Sequence, residues 1–178
     1  VTGEEEKMIV RVAFYVYTKK LFNIGIAGWT WLFNPLTPPV SHCEIGVCPA
    51  GTWKYFSSTL RDGAKGTRWI APNKLFKHEE RWITYEFEVD SIDDIIARAE
   101  EIKGLPYDIL GLIGFVTPFG LPNARKKWYC SEACYKVLTG IWKKRISPRR
   151  FYKYIMKNYK TRKVRYAKSL TDPLRDCT

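Results

Sequence analysis

The stretch "SHCEIGVC" (41–48) alternates between two kinds of side chain without a break. Successive residues of an extended strand point to opposite faces, so Cys43, Ile45 and Val47 share one face and His42, Glu44 and Gly46 the other. Such a pattern fits an antiparallel sheet with one face packed on a core. "RWITYEFEV" (81–89) repeats it, with Ile83, Tyr85, Phe87 and Val89 on one side. "MIVRVAFYVYT" (8–18), rich in β-branched and aromatic residues, predicts a buried strand. "PAGT" supplies a turn from 41–48 into "WKYFSS" (53–58), which predicts a hairpin, and "RWI" (68–70) predicts a short strand.

Helical patterns interrupt the strands. In "SIDDIIARAEEIKG" (91–104), Ser91 and Asp94 form an N-terminal capping pattern. Ile92, Ile95, Ile96, Ala99 and Ile102 make one apolar face, and Gly104 with Pro106 stops the helix. Ala133, Cys134, Val137 and Leu138 recur at helical spacing before Gly140, and "SPRRFYKYIMKNY" (147–159) opens with Ser-Pro and carries Tyr152, Ile155, Met156 and Tyr159 on one face. "IAGWTWLFNPLTPP" (26–39) predicts an aromatic turn running into a proline-rich loop. Strands and helices mix without a βαβ rhythm, so the expectation is an α+β fold with an antiparallel sheet packed against helices. The 178 residues, free of repeats or linkers, predict a single domain.

No apolar run is long enough to cross a bilayer, "ILGLIGFV" (109–116) being stopped by Thr117-Pro118, and no signal-peptide pattern opens the chain. Five cysteines without regular spacing do not read as a disulfide framework, which points to a reducing compartment. Cys43 and Cys48 would point to opposite faces of a strand and no C-x2-C pair exists, so neither a metal nor a cofactor is expected. The formal net charge is +12, and residues 143–168 hold twelve Lys or Arg and no carboxylate. Such a segment either keeps the surface soluble or contacts a polyanion.

Cys130, in "KKWYCSEACYKVL" (126–138), precedes an apolar helical stripe and so falls in the first turn of its helix. There the free N–H groups and the positive end of the helix dipole favour a thiolate. Of two histidines, His78 lies in the charged stretch "KLFKHEER" and reads as exposed, whereas His42 stands on a strand face beside Glu44. That face is either solvated or the acid–base half of a thiol site. Tyr107, in "KGLPYDILG" (103–111), either packs its ring or donates a hydrogen bond to a developing oxyanion.

"SHCEIGV", "YFSSTLRDGAKGTRWI", "GLPYDILGLIGF" and "KKWYCSEACYKVL", in this order, resemble the permuted branch of the NlpC/P60 superfamily, and phage-encoded members above all. The resemblance covers roughly residues 8–140 and leaves 141–178 as a basic C-terminal extension. It implies a circularly permuted papain-like fold and a thiol peptidase or amidase in which Cys130 is the nucleophile and His42 the general base. Glu44 would orient the imidazole, with Ser57 as the alternative on the next strand. Tyr107, Ser57 and Glu132 would touch substrate, Glu132 having a structural anchor as its other reading. A peptide or cell-wall polymer, peptidoglycan stem peptides in particular, is the implied substrate, and host cytoplasm or phage particle the implied location. Two other readings stay open. One is a lipid-directed thioesterase or acyltransferase of the same fold, with "GWTWLF" lining an acyl pocket. The other is a nucleic-acid-binding or assembly protein with a vestigial site, because aromatics interleave with the basic residues of the C-terminal segment.

Overall fold

The computed structural model describes residues 8–16, 39–60, 63–109 and 127–165. The expected aromatic loop 26–39, apart from Pro39, and all but the first residue of 109–116 lie outside them. Six strands form one antiparallel sheet: β1 (Met8–Val16), β2 (Val40–Val47), β3 (Lys54–Thr59), β4 (Gly66–Ile70), β5 (Trp82–Val89) and β6 (Arg162–Val164), in the order β4-β3-β2-β1-β5-β6. Among the described residues four helices accompany it: α1 (Pro72–Leu75), α2 (Ile92–Ile102), α3 (Cys130–Thr139) and α4 (Pro148–Asn158). The fold is α+β, as the alternating segments require. Among the described residues no helix is long and apolar enough to cross a membrane.

β2 pairs with β1 on one side, Phe14 opposite Cys43 and Tyr15 opposite His42, and with β3 on the other. Cys43, Ile45 and Val47 face the main core with Val10, Val12, Phe14 and Phe87, beneath α2, α3 and α4. The helices end as their sequences predict. Asp94 N–H donates to Ser91 Oγ at 3.1 Å and Arg150 N–H to Ser147 Oγ at 3.2 Å. Gly140 closes α3 at φ 74°, a left-handed conformation that glycine adopts without a Cβ penalty.

The opposite face of the sheet has a cover that the alternation does not announce. The chain between β4 and β5 folds across it as α1, and Phe76 inserts between Tyr55 and Trp82, with ring centroids 5.2 and 5.6 Å away. Ala13, Trp53, Tyr55 and Phe76 form a second, small core there. Both faces of β2 are therefore buried. The aromatic spacing of "KLFKHEERW" carries no period by which this lid could be read in advance.

Candidate active site

The β2–β3 ladder runs from Val47 opposite Lys54 to Ile45 opposite Phe56. Beyond that point side chains take over from the backbone. Ser57 Oγ–H donates to the Cys43 carbonyl at 2.7 Å, and the Cys134 thiol, on α3, reaches the same carbonyl at 3.6 Å. α3 thus lays one face against the opening between the two strands. Cys130 stands one turn before Cys134 and so on the same helix face. It comes against Cys43 and His42, and the three groups act on one another's charge.

His42 starts from the other face of β2 and is only 7 % exposed. Its Nε2 lies 2.9 Å from Glu44 Oε1, which leaves Nδ1 as the nitrogen available to the thiol. Residues two apart on a strand are roughly 6–7 Å apart at the backbone, so the carboxylate leans along the strand to meet the ring. Glu44 is fully buried, and a buried carboxylate is costly unless paired. The pairing comes from Arg68 on β4, whose two terminal nitrogens donate to Oε2 at 2.8 Å and Oε1 at 3.0 Å. The four side chains form one line: thiol, imidazole, carboxylate, guanidinium. Trp82 stands edge-on to the imidazole, with ring centroids 6.2 Å apart.

The charges agree with the geometry. For His42, burial alone would lower the pKa, but the Cys130 charge and hydrogen bond, then the Glu44 hydrogen bond and charge, push it up to about 9. Burial pushes the Cys130 thiol up, yet a hydrogen bond from the Cys43 side chain, the His42 charge and hydrogen bond, and the Cys43 backbone bring it well below the ordinary thiol value. Burial likewise raises Glu44, and the His42 hydrogen bond and the Arg68 charge hold it below the usual carboxylate range. Cys43, raised by burial and by its bond with Cys130, stays a thiol and so can donate. Both shifts favour a thiolate beside an imidazolium over the neutral pair.

The remaining residues fall in different places. Ser57 spends its hydroxyl on the Cys43 carbonyl, so Glu44 and not Ser57 contacts the ring. Glu132 accepts the Tyr129 N–H at 3.3 Å and the Arg145 N–H at 2.6 Å, and is buried. These bonds tie Ser57 to β2 and Glu132 to the start of α3 and the loop after it. Tyr107 is tied to the approach of α3: Pro106 bridges to Gly66 and Tyr107 to Trp128, and the Tyr107 and Tyr129 ring centroids are 5.8 Å apart. A Cβ at Gly66 would fall 2.0 Å from the Leu105 carbonyl oxygen, so only glycine permits that crossing. Gly46, beside the His42 face, leaves its space to the Tyr55 ring, 2.6 Å from where a Cβ would be. His78 is exposed and pairs loosely with Glu80 at 3.7 Å. Cys43, Cys130 and Cys134 are free thiols. Cys48 is disulfide-bonded, which the odd cysteine count did not foretell.

Two groups escaped the sequence reading. Arg68 is one arginine in a short strand pattern, and only the neighbouring strands show that it aims at Glu44. The indole N–H of Trp128, two residues before the thiol, is buried and meets no acceptor among the described residues. Comparison of the chain with protein-family models, curated proteins and solved structures returns no match.

Proposed function

We propose that the protein is a cysteine hydrolase of the papain-like, permuted NlpC/P60 kind that cleaves an amide bond, with peptidoglycan stem peptides as the substrate class. The observation that carries this reading is the contiguous line from Cys130 through His42 to Glu44. In the reaction the Cys130 thiolate attacks the carbonyl carbon, forming a C–S bond and an oxyanion. The first-turn N–H of Cys130 lacks an intrahelical partner and is a donor for that oxyanion. Collapse of the intermediate breaks the C–N bond as the imidazolium protonates the leaving amine. Neutral His42 then takes a proton from water, the hydroxide attacks the thioester, and the thiolate leaves with a carboxylic acid as product. Glu44 holds the ring and stabilises its cationic form.

The alternative of a thioesterase or acyltransferase draws support from a cleft of ≈ 500 Å³ lined by Leu60, Pro106, Tyr107 and Ile109 beside the α3 approach. One panel separates the two readings: wild type, Cys130→Ala and His42→Ala against muropeptides and against short acyl esters and thioesters. Turnover of muropeptides by wild type alone supports the amidase. Turnover confined to acyl substrates transfers the same machinery to the second reading. A fully active, folded Cys130→Ala protein ends both.

A further inference from the structure

Four large hydrophobic side chains are exposed among the described residues: Leu60 (46 %), Ile109 (49 %), Ile141 (61 %) and Trp142 (39 %). Leu60, Ile109 and Trp142, far apart in sequence, come near the start of α3, and Ile141 adjoins Trp142 in the chain. Leu60 and Ile109 line the cleft with Tyr107 and Lys127. Tyr107 bridges to Trp128, and the Trp128 and Trp142 rings are 6.3 Å apart. Scattered single hydrophobics on a surface are ordinary, whereas convergence of this kind marks an interaction surface.

The loop 141–145 is held firmly in place. Ser131 Oγ–H donates to the Ile146 carbonyl and Glu132 accepts the Arg145 N–H, so the two residues after Cys130 staple the loop to the first turn of α3. Arg145 keeps a left-handed φ of 56° within that clamp. The apolar pair at the start of the loop is followed at once by Lys143, Lys144 and Arg145, all exposed, with Lys144 Nζ 4.9 Å from the Trp142 ring. Lys65 and Lys127 line the cleft itself. Arg150, Lys153 and Lys157, one exposed face of α4, extend the positive field, and no Asp or Glu interrupts residues 143–165.

We propose that this face docks peripherally on an anionic phospholipid surface, with Ile141 and Trp142 entering the headgroup region and the surrounding cations pairing with lipid phosphates. An exposed apolar pair with an indole, beside Lys and Arg, is the combination that suits a bilayer interface. A nucleic-acid strand fits less well, because the aromatics of the basic segment are spent inward. Tyr152 packs on Phe14, Tyr154 on Tyr135 and Tyr159 on Phe87, with centroids 5.2, 4.9 and 4.4 Å apart. They are not available as stacking platforms for bases. Docking requires no chemistry at Cys130.

The test is flotation of the full chain with vesicles of phosphatidylcholine alone and of phosphatidylcholine with about one-third phosphatidylglycerol. Wild type and Cys130→Ala protein are expected to float equally with the anionic vesicles, and less as salt rises. Ile141→Ser with Trp142→Ser, and separately Lys143→Glu with Lys144→Glu, should each weaken flotation at least about tenfold. Circular dichroism and melting curves confirm that each variant folds, and single Ile141→Ser is a milder check on the same side chains. Absence of flotation with either vesicle overturns the proposal. So does flotation untouched by the Ile141/Trp142 change, or retention on DNA that exceeds retention on the vesicles at equal salt. Because the hydrolase reading is scored by turnover and docking by Cys130→Ala flotation, failure of one leaves the other readable.

Discussion

The two faces of β2 are both buried but held by different physics. On one, Cys43, Ile45 and Val47 lie in apolar packing, where shape and volume decide the energy. On the other, His42 and Glu44 are equally hidden from water yet charged, and their burial is tolerated only because Arg68 and Cys130 complete the line. The first face can absorb a change of size. The second cannot absorb a change of charge, since removing one member leaves another buried without its partner. This difference separates the strand's structural role from the chemical one proposed for it.

Several substitutions test that separation, beginning with the largest effect. Glu44→Ala should cost about 3–5 kcal/mol of stability by leaving Arg68 and the imidazolium without their counter-charge, measured by chemical denaturation. The same variant should slow Cys130 alkylation at neutral pH. On the apolar face, Ile45→Ala should cost a similar amount, about 2–5 kcal/mol through the cavity it leaves, while the pH profile of Cys130 alkylation keeps its midpoint. Equal shifts of that midpoint in both variants would erase the distinction between the faces.

Arg68→Met and Arg68→Lys refine the comparison. Loss of the two-pronged contact should raise the pKa of Glu44. Lysine should recover part of the loss because it restores the charge without the fork. Titration sharpens it further. In wild type, Cys130 should react with iodoacetamide well below pH 8, and the rate should not fall as His42 loses its proton near pH 9, because the sulfur remains a thiolate. His42 is raised from 6.5 to about 9, so its contribution to stability is complete below 6.5 and lost as pH climbs through about 9. Glu44 is lowered, so its contribution is present above the ordinary carboxylate value and lost as pH falls through its folded value. Denaturation midpoints measured across pH should therefore decline on both sides. The smallest effect is Ser57→Ala, which removes one hydrogen bond to the Cys43 carbonyl and should cost about 1 kcal/mol with Cys130 reactivity unchanged.

Much of the scaffold was legible because its signals are local. The strand at 41–48 occurs as β2, the hairpin partner as β3 and the capped helix at 91–104 as α2. Cys130 begins α3, as the apolar stripe behind it requires. Local patterns missed β6, whose "RKV" is too short and too charged to suggest a strand and exists only because β5 offers an open edge. They also left His42 and Glu44 undecided between a solvated face and a buried site, because alternation assigns residues to faces without saying what covers each face. Arg68 was silent for the same reason: its contact spans two strands in the sheet and 24 positions in the chain.

What the sequence by itself determined is which side chains share a face, where helices begin and end, and that a thiol stands at a helix N-terminus. These follow from backbone periods of two and 3.6 residues and from end groups that need caps within a few positions. Only the tertiary structure decided that the polar face of β2 is closed by Phe76 and Trp82, that β2 and β3 part where α3 inserts Cys134, and that Arg68 meets Glu44. Each depends on elements brought together from distant parts of the chain, and desolvation, which shapes the electrostatics of the site, exists only once they have met.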